Sequence, residues 1–261
     1  MLRIAVCIKQ VPAYSEGTMD PETGVLQRAG LESVINVYDL PALETALRIK
    51  EEKNAIVDVF SMGPAKAAAV IREAYSMGAD GGFLLSDKYF SGADVLATSY
   101  TLMQGIKSVA HYDLILCGRQ TTDGDTAQVG GALARWMNIP NVNWVTELVG
   151  VDERSITVRQ AMEDEVYTVK VTYPCLLSVE RSIFKPRLPS LKLKIAANRK
   201  DIKLLTLESM QDTDSKHYGL KGSPTRVEKI YTTERTKRQE AISSDSENAA
   251  AYIHHIIKGL F

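Results

Sequence analysis

The chain has 261 residues, 45% hydrophobic and 24% charged, so it carries enough apolar material for a substantial core and too much for a disordered chain. Lys and Arg number 31 against 32 Asp and Glu, a balance that gives no global electrostatic reason to expect nucleic acid or an anionic membrane as partner. Cys7, Cys117 and Cys175 make no CxxC pair and cannot all be disulfide-bonded within the chain, and the four His show no zinc-binding spacing.

The opening run, MLRIAVCIKQ, is too short for a signal-peptide core and lacks a small-residue cleavage site. No later run is long enough to cross a bilayer, so the sequence reads as cytoplasmic, without membrane insertion. Residues 3–8 predict a first strand. DPETG at 20–24 predicts a turn in an excursion that ends at Ile35-Asn36. Apolar spacing then predicts helices over 40–52, 65–77 and 93–108, alternating with strands over 56–60, 82–85 and 113–117. That alternation implies an α/β fold: a mostly parallel sheet with helices on both faces. Ligands of such sheets sit outside the carboxyl ends of the strands, which makes 9–13, 61–64, 86–91 and 118–130 candidate site loops. From residue 155 the pattern becomes more β-like. ITVRQAM at 156–162 and VYTVKVTY at 166–173 alternate as an antiparallel hairpin, and Pro174 opens a strand over 175–180. In FKPRLPSLKLKIAANRKDIKLL, 184–205, core patterning fades. The tail from Gly219 holds GLKGSPTRV, the polar run ERTKRQE at 234–240 and an amphipathic helical end. It reads as an arm, 219–261, that packs on a partner, leaving 1–218 as the main domain.

The stretch LILCGRQTTDGDTAQVG concentrates the chemistry. Gly118, after a strand, permits close backbone approach. Thr121, Thr122, Asp123, Asp125, Thr126 and Gln128 offer hydrogen-bonding groups where a helix starts near Ala127, and such a start favours an anion such as phosphate. The alternative is that Asp125 or Thr126 simply caps that helix. Neither a Walker A motif nor GxGxxG is present, so a nucleotide would be held in another way. Ser61-Met62-Gly63-Pro64 is either a second site loop or an ordinary βα turn. Asn36 and Asp39 suit either a site or a helix start. Ser178, Ser61 and the His residues have no triad context, Cys7 and Cys117 read as packed small hydrophobes, and Glu163-Asp164-Glu165 reads as a solvated hairpin tip. Any redox or transfer chemistry would come from a bound cofactor.

Taken in order, VCIKQVP, VINVYDLPALETALRIKE, VFSMGPAKA, REAYSMGAD, LILCGRQTTDGDTAQVG, KPRLPSL and GLKGSPTRV resemble the β subunit of electron transfer flavoprotein over nearly the whole chain. The resemblance implies a Rossmann-like domain that binds an adenine nucleotide beside a larger α subunit carrying a redox FAD. It places nucleotide contacts at Cys7, Lys9, Asn36, Ser61, Met62 and Gly63, and along the last loop at Gly118, Gln120, Asp123, Gly124, Asp125, Thr126, Gln128, Val129 and Gly130. DGDTAQVG is more similar to the loop of the FAD-binding, electron-bifurcating group than to the DDD-type loop of members that hold a structural AMP. That implies FAD here, NAD(H) as substrate, and as partners the α subunit, a flavin-containing dehydrogenase and a low-potential acceptor such as ferredoxin. NADH oxidation would then belong to the αβ complex. A partner-recognition loop near 184–200 would use Pro186, Arg187 and Leu191, with Leu191 either an exposed anchor or packed under its own loop. The hairpin departs from the family pattern, because Arg159 is followed by Gln160, Ala161 and Met162 before the acids.

Overall fold

The computed structural model describes residues 1–13, 18–19, 26–27, 33–225 and 245–259, so the DPETG turn and the 234–240 run lie outside the described residues. The chain divides into two units, Met1–Val227 and Glu228–Phe261.

In the first unit β1 (Arg3–Cys7) leads into an excursion built from β2 (Gln10–Pro12), β3 (Thr18–Met19), β4 (Leu26–Gln27) and β5 (Ser33–Ile35). These pair as two small antiparallel ribbons, β2 with β5 and β3 with β4. The helix α1 (Asp39–Lys53) follows, with Lys50 and Lys53 in its last turn complementing the helix dipole and Asn54 ending it at φ 52. Then come β6 (Ile56–Met62), α2 (Ala68–Met77), β7 (Gly81–Leu85), α3 (Val95–Val109), β8 (Leu114–Gly118) and α4 (Val129–Met137). Asp94 caps α3, accepting from the Ala97 N–H at 3.0 Å. The chain continues as β9 (Asn141–Val151), β10 (Ser155–Ala161), β11 (Val166–Thr172), β12 (Cys175–Val179), α5 (Leu191–Ala197) and β13 (Lys203–Leu205). The second unit contains α6 (Ser246–Lys258), whose Tyr252, Ile253, Ile256 and Ile257 are exposed.

One nine-stranded sheet runs β11-β10-β9-β12-β8-β1-β6-β7-β13. From β9 to β13 all neighbours are parallel; β10 and β11 form the antiparallel end. Side-chain alternation sends Ile4, Val6, Val57, Val59, Leu114, Leu116 and Leu177 to one face with α1 and α2. Ala5, Phe60, Phe83, Ile115 and Leu176 go to the other with α3 and α4. Burying each large apolar side chain contributes about 1.5–3 kcal/mol, and a one-residue slip would exchange the two faces, so the register is fixed by packing. After β1 the chain moves outward through β6 and β7, then returns to lay β8 on the other side of β1. That reversal is the topological switch point at which such sheets bind ligands.

Boundaries read from sequence agree to within a few residues, but the sequence pattern does not mark β9, α5, β13 or the short excursion strands β2 to β5. β9 was hidden because it is half exposed, interrupted by Asn141, Asn143 and Gly150, and kinked at Trp144, φ 55. The edge strand β13 is three residues of KLL. Residues 219–225, assigned to the arm from sequence, pack on the main unit, with the Leu220 N–H on the Ser91 carbonyl at 2.9 Å and Ser223 Oγ accepting the Asp94 N–H at 2.9 Å.

At the amino ends of the strands, buried Asp58 accepts from Arg3 Nε at 2.9 Å, Arg3 Nη2 at 2.8 Å and the Tyr112 hydroxyl at 2.7 Å. Tyr112→Phe removes a hydrogen bond to a charged group and is expected to cost about 1.5–3 kcal/mol in denaturant unfolding. Unchanged stability would show that Arg3 alone satisfies Asp58.

Candidate functional site

The carboxyl ends of β1, β6 and β8 meet at the switch point, and Asn36 ties the chain after β1 to the chain after β8. Its N–H donates to the Lys9 carbonyl at 2.9 Å, and its own carbonyl accepts the Asp39 N–H at 2.9 Å. Its side-chain Nδ2 donates to the Gln120 carbonyl at 2.7 Å. The excursion after β1, the start of α1 and the loop after β8 are thereby tied through one residue with no exposed surface. Asn36 Oδ1 and Ser61 Oγ are buried and lack a partner among the described residues. Such a group costs about 1–3 kcal/mol when left unsatisfied, so both want a partner that the described residues do not supply.

Asp39 sits beneath this junction. Its carboxylate accepts the Lys9 N–H at 2.8 Å. Burial raises its pKa to about 7, opposed by hydrogen bonds from Lys9, Asn36 and the Gly118 backbone. A Cβ on Gly118 would stand 2.4 Å from both Asp39 Oδ1 and the Tyr38 carbonyl. The missing side chain at Gly118 therefore admits the start of α1.

Above the junction Lys9 Nζ reaches both carboxylate oxygens of Asp123, at 2.7 and 2.8 Å. Burial works to raise the Asp123 carboxyl, but Lys9 outweighs it and holds the group below the usual carboxylate range. The rest of the loop is open, with residues 122–128 exposed. The capping alternative fails, because α4 starts after Gln128 and has no side-chain cap from Asp125, Thr126 or any other residue. Asp125 and Ala127 have φ of 49° and 54°. Non-glycine residues pay about 1 kcal/mol or more each for that conformation, a form of strain that clusters at ligand sites. Gly124 is unstrained, and a Cβ there would meet nothing nearer than Thr121 Oγ1 at 3.4 Å. The backbone does not require glycine at 124, so the space beside it is free.

Ser61 and Met62 lie inside β6, paired with Leu84 and Leu85, rather than in a loop. Gly63 continues the edge, its N–H on the Leu85 carbonyl at 3.0 Å. Val129 and Gly130 begin α4, and a Cβ at Gly130 would make ordinary contact with Leu176 at 3.5 Å and Cys117 at 3.7 Å. Cys7 and Cys117 are register partners on β1 and β8. A contact with Cys7 and burial both push the Cys117 thiol up, which keeps it neutral and unreactive.

Loop 86–91 does not join this site. Asp87 accepts the Leu207 N–H at 3.0 Å and Ser86 donates its N–H to Leu205 at 3.0 Å, so the segment after β13 covers it. A hollow of about 340 Å³ there is lined by Asp87, Tyr89 and Glu208, and one of about 330 Å³ at the amino ends is lined by Arg3, Asp58, Phe83 and Lys200. Neither touches the switch point. Pro186, Arg187 and Leu191 are also elsewhere: Arg187 pairs with Glu44 and Glu51 on α1, and Leu191, the first residue of α5, is exposed. Leu188, not singled out from sequence, is more exposed still. No cluster of metal-ligating side chains occurs among the described residues.

Asp39 titrates near 7 when folded against an ordinary 3.8. Its stabilising contribution is therefore fully present below pH 3.8 and lost as pH rises through about 7. Between about pH 3.8 and 7 unfolding free energy should fall with a limiting slope of about 1.4 kcal/mol per pH unit from this group and level off above neutrality, and Asp39→Asn should flatten that fall. An equal slope in Asp39→Asn would assign the effect to other groups.

Comparison with known proteins places the chain in a family. Residues 23–210 match the electron transfer flavoprotein domain family. Over 97% of its length the chain is 44% identical to the electron transfer flavoprotein subunit beta of Clostridium acetobutylicum, covering 96% of that protein. It is 40% identical to the caffeyl-CoA reductase-Etf complex subunit CarD of Acetobacterium woodii, over 96% of this chain and 95% of the relative. It is 36% identical to the acryloyl-CoA reductase electron transfer subunit gamma of Anaerotignum propionicum, over 88% of each chain. No helix among the described residues is long and apolar enough to cross a membrane. The chain belongs to the electron transfer flavoprotein β-subunit family.

Proposed function

We propose that this β subunit holds FAD at the switch point and, paired with an α subunit, accepts hydride from NADH. When bound, the flavin would supply two-electron acceptance and one-electron donation, one electron going to a low-potential acceptor such as ferredoxin and the other through the α-subunit FAD to a flavin-containing dehydrogenase. The observation that carries the reading is the pairing of unsatisfied buried groups, Asn36 Oδ1 and Ser61 Oγ, with an uncapped α4 start and free space at Gly124.

The chain's own residues have distinct parts in this reading. The first-turn N–H groups of α4 and the Thr126 hydroxyl face an anion with favourable dipole, as a pyrophosphate needs. Lys9, already charge-paired with Asp123, supplies a cation that a phosphate oxygen can share. Asn36 and Ser61 offer polar atoms to the nucleoside end. Asp39 stays under the junction, where it fixes the Lys9 and Gly118 amides and does not contact the ligand. The relatives named for caffeyl-CoA and acryloyl-CoA reductase support a dehydrogenase acting on a CoA thioester as the electron-exchange partner.

Because Gly124 is neither strained nor crowded, Gly124→Ala and Gly124→Asp should keep stability within about 0.5 kcal/mol of the parent. Bound flavin in the purified αβ complex should nonetheless fall, more for Asp, whose charge opposes a phosphate. Full flavin content in Gly124→Asp would remove this loop from the cofactor site.

A further inference from the structure

Residues 181–200 carry seven basic side chains and no acidic one. Within them Leu188 is 88% and Leu191 75% exposed. Exposed leucines in a cationic field suit a partner whose pocket is apolar with an acidic rim, and they bind at lower entropic cost when held still beforehand.

The segment is held still. Ile183 is buried, and the Arg48 guanidinium lies 4.4 Å from the Phe184 ring centroid. On the far side the Ser190 N–H donates to the Ser76 carbonyl at 3.0 Å, and Arg72 Nη1 donates to the Ala197 carbonyl at 3.2 Å. Between these attachments Arg187 grips α1. Its backbone N–H and Nε donate to Glu44 Oε2 at 3.1 and 2.8 Å, and Nη2 donates to Glu44 Oε1 at 3.2 Å. Nη1 bonds to Glu51 Oε1, and Nη2 reaches Glu51 Oε2 at 3.2 Å. Glu44 and Glu51, seven residues apart, lie on one face of the helix. Glu44 is 2% exposed, so its charge depends on this contact and on Arg48. The planar Arg187 fork is committed to two carboxylates of its own chain, an arrangement that a lysine ammonium cannot reproduce.

We infer that Arg187 is a positioning residue for docking: its clamp on Glu44 and Glu51 presents Leu188 and Leu191 to the apolar, acid-rimmed pocket of a flavin-containing dehydrogenase. Lys185, Lys192 and Lys194 would then face the rim. This assigns Arg187 a different part from the direct partner contact expected from sequence, and it rests on reading 184–200 as the docking segment.

The test measures electron exchange between the αβ complex and a short-chain acyl-CoA dehydrogenase reduced by butyryl-CoA, with dehydrogenase concentration varied to separate KM from kcat. Arg187→Ala should raise KM roughly tenfold with kcat at saturation retained, while Arg187→Lys and Glu51→Gln fall between it and the parent. Leu188→Ala and Leu191→Ala should raise KM as well, and added salt should raise it for the parent. If both leucine variants leave KM unchanged, the docking segment itself is lost, and the inference with it. If the leucine variants raise KM while Arg187→Ala and Glu51→Gln do not, docking stands and the clamp is overturned. Should Arg187→Ala fail to fold, Glu51→Gln decides, since that carboxylate is exposed.

Discussion

The structure depends on the burial of Asp39 against Gly118. β8 and α1 can close on each other only because position 118 has no side chain, and that closure puts a carboxylate where water cannot reach it. Its hydrogen bonds from Lys9 and Gly118 then fix the amides at the ends of β1 and β8, while Asn36 fixes the carbonyls beside them. A crossing of three loops that would otherwise be mobile becomes a defined edge. The edge keeps polar atoms without internal partners, which is the condition a preorganised ligand site meets.

α1 links two parts of the molecule. Its first residue belongs to the switch-point junction, and Glu44 and Glu51 hold the 184–191 segment through Arg187. Asp39 and Glu44 are five residues apart, about 7.5 Å of helix rise. The switch-point junction and the exposed leucines therefore share a rigid strut. Burial works to raise Glu44 and the Arg187 contacts outweigh it, so Glu44 remains charged at neutral pH and the strut stays fastened. Its contribution is present above the ordinary carboxylate value of 4.5 and is lost as pH falls through the lowered folded value.

The parallel core was legible because strands buried on both faces read as continuous apolar runs, as in LILC at β8 and IVDVF at β6. The placement of candidate loops at the carboxyl ends of the strands followed from the alternation of elements, whereas the strand order that makes β1 and β8 a switch point did not. What sequence could not give were decisions made by tertiary contact. Gly118 is the same residue whether it faces a ligand or a helix start, and only the position of Tyr38 and Asp39 separates the two. Arg187 beside Pro186 looks like a free cation until Glu44 and Glu51 are brought to it over more than a hundred residues. Loop 86–91 follows a strand as a site loop should, yet the chain after β13 folds over it. Ser61 and Met62 belong to β6, which runs two residues past the predicted strand end. β9 was invisible because its polar, half-exposed positions break the period that marks a strand.

The central claim is that the switch-point edge holds a redox flavin and not a structural nucleotide. The most direct test is denaturing release of the nucleotides from the purified αβ complex, with FAD and AMP quantified per heterodimer. Two FAD and negligible AMP are the predicted result. One FAD and one AMP would contradict the claim and leave the DGDTAQVG loop as the cradle of a nucleotide that takes no part in electron transfer.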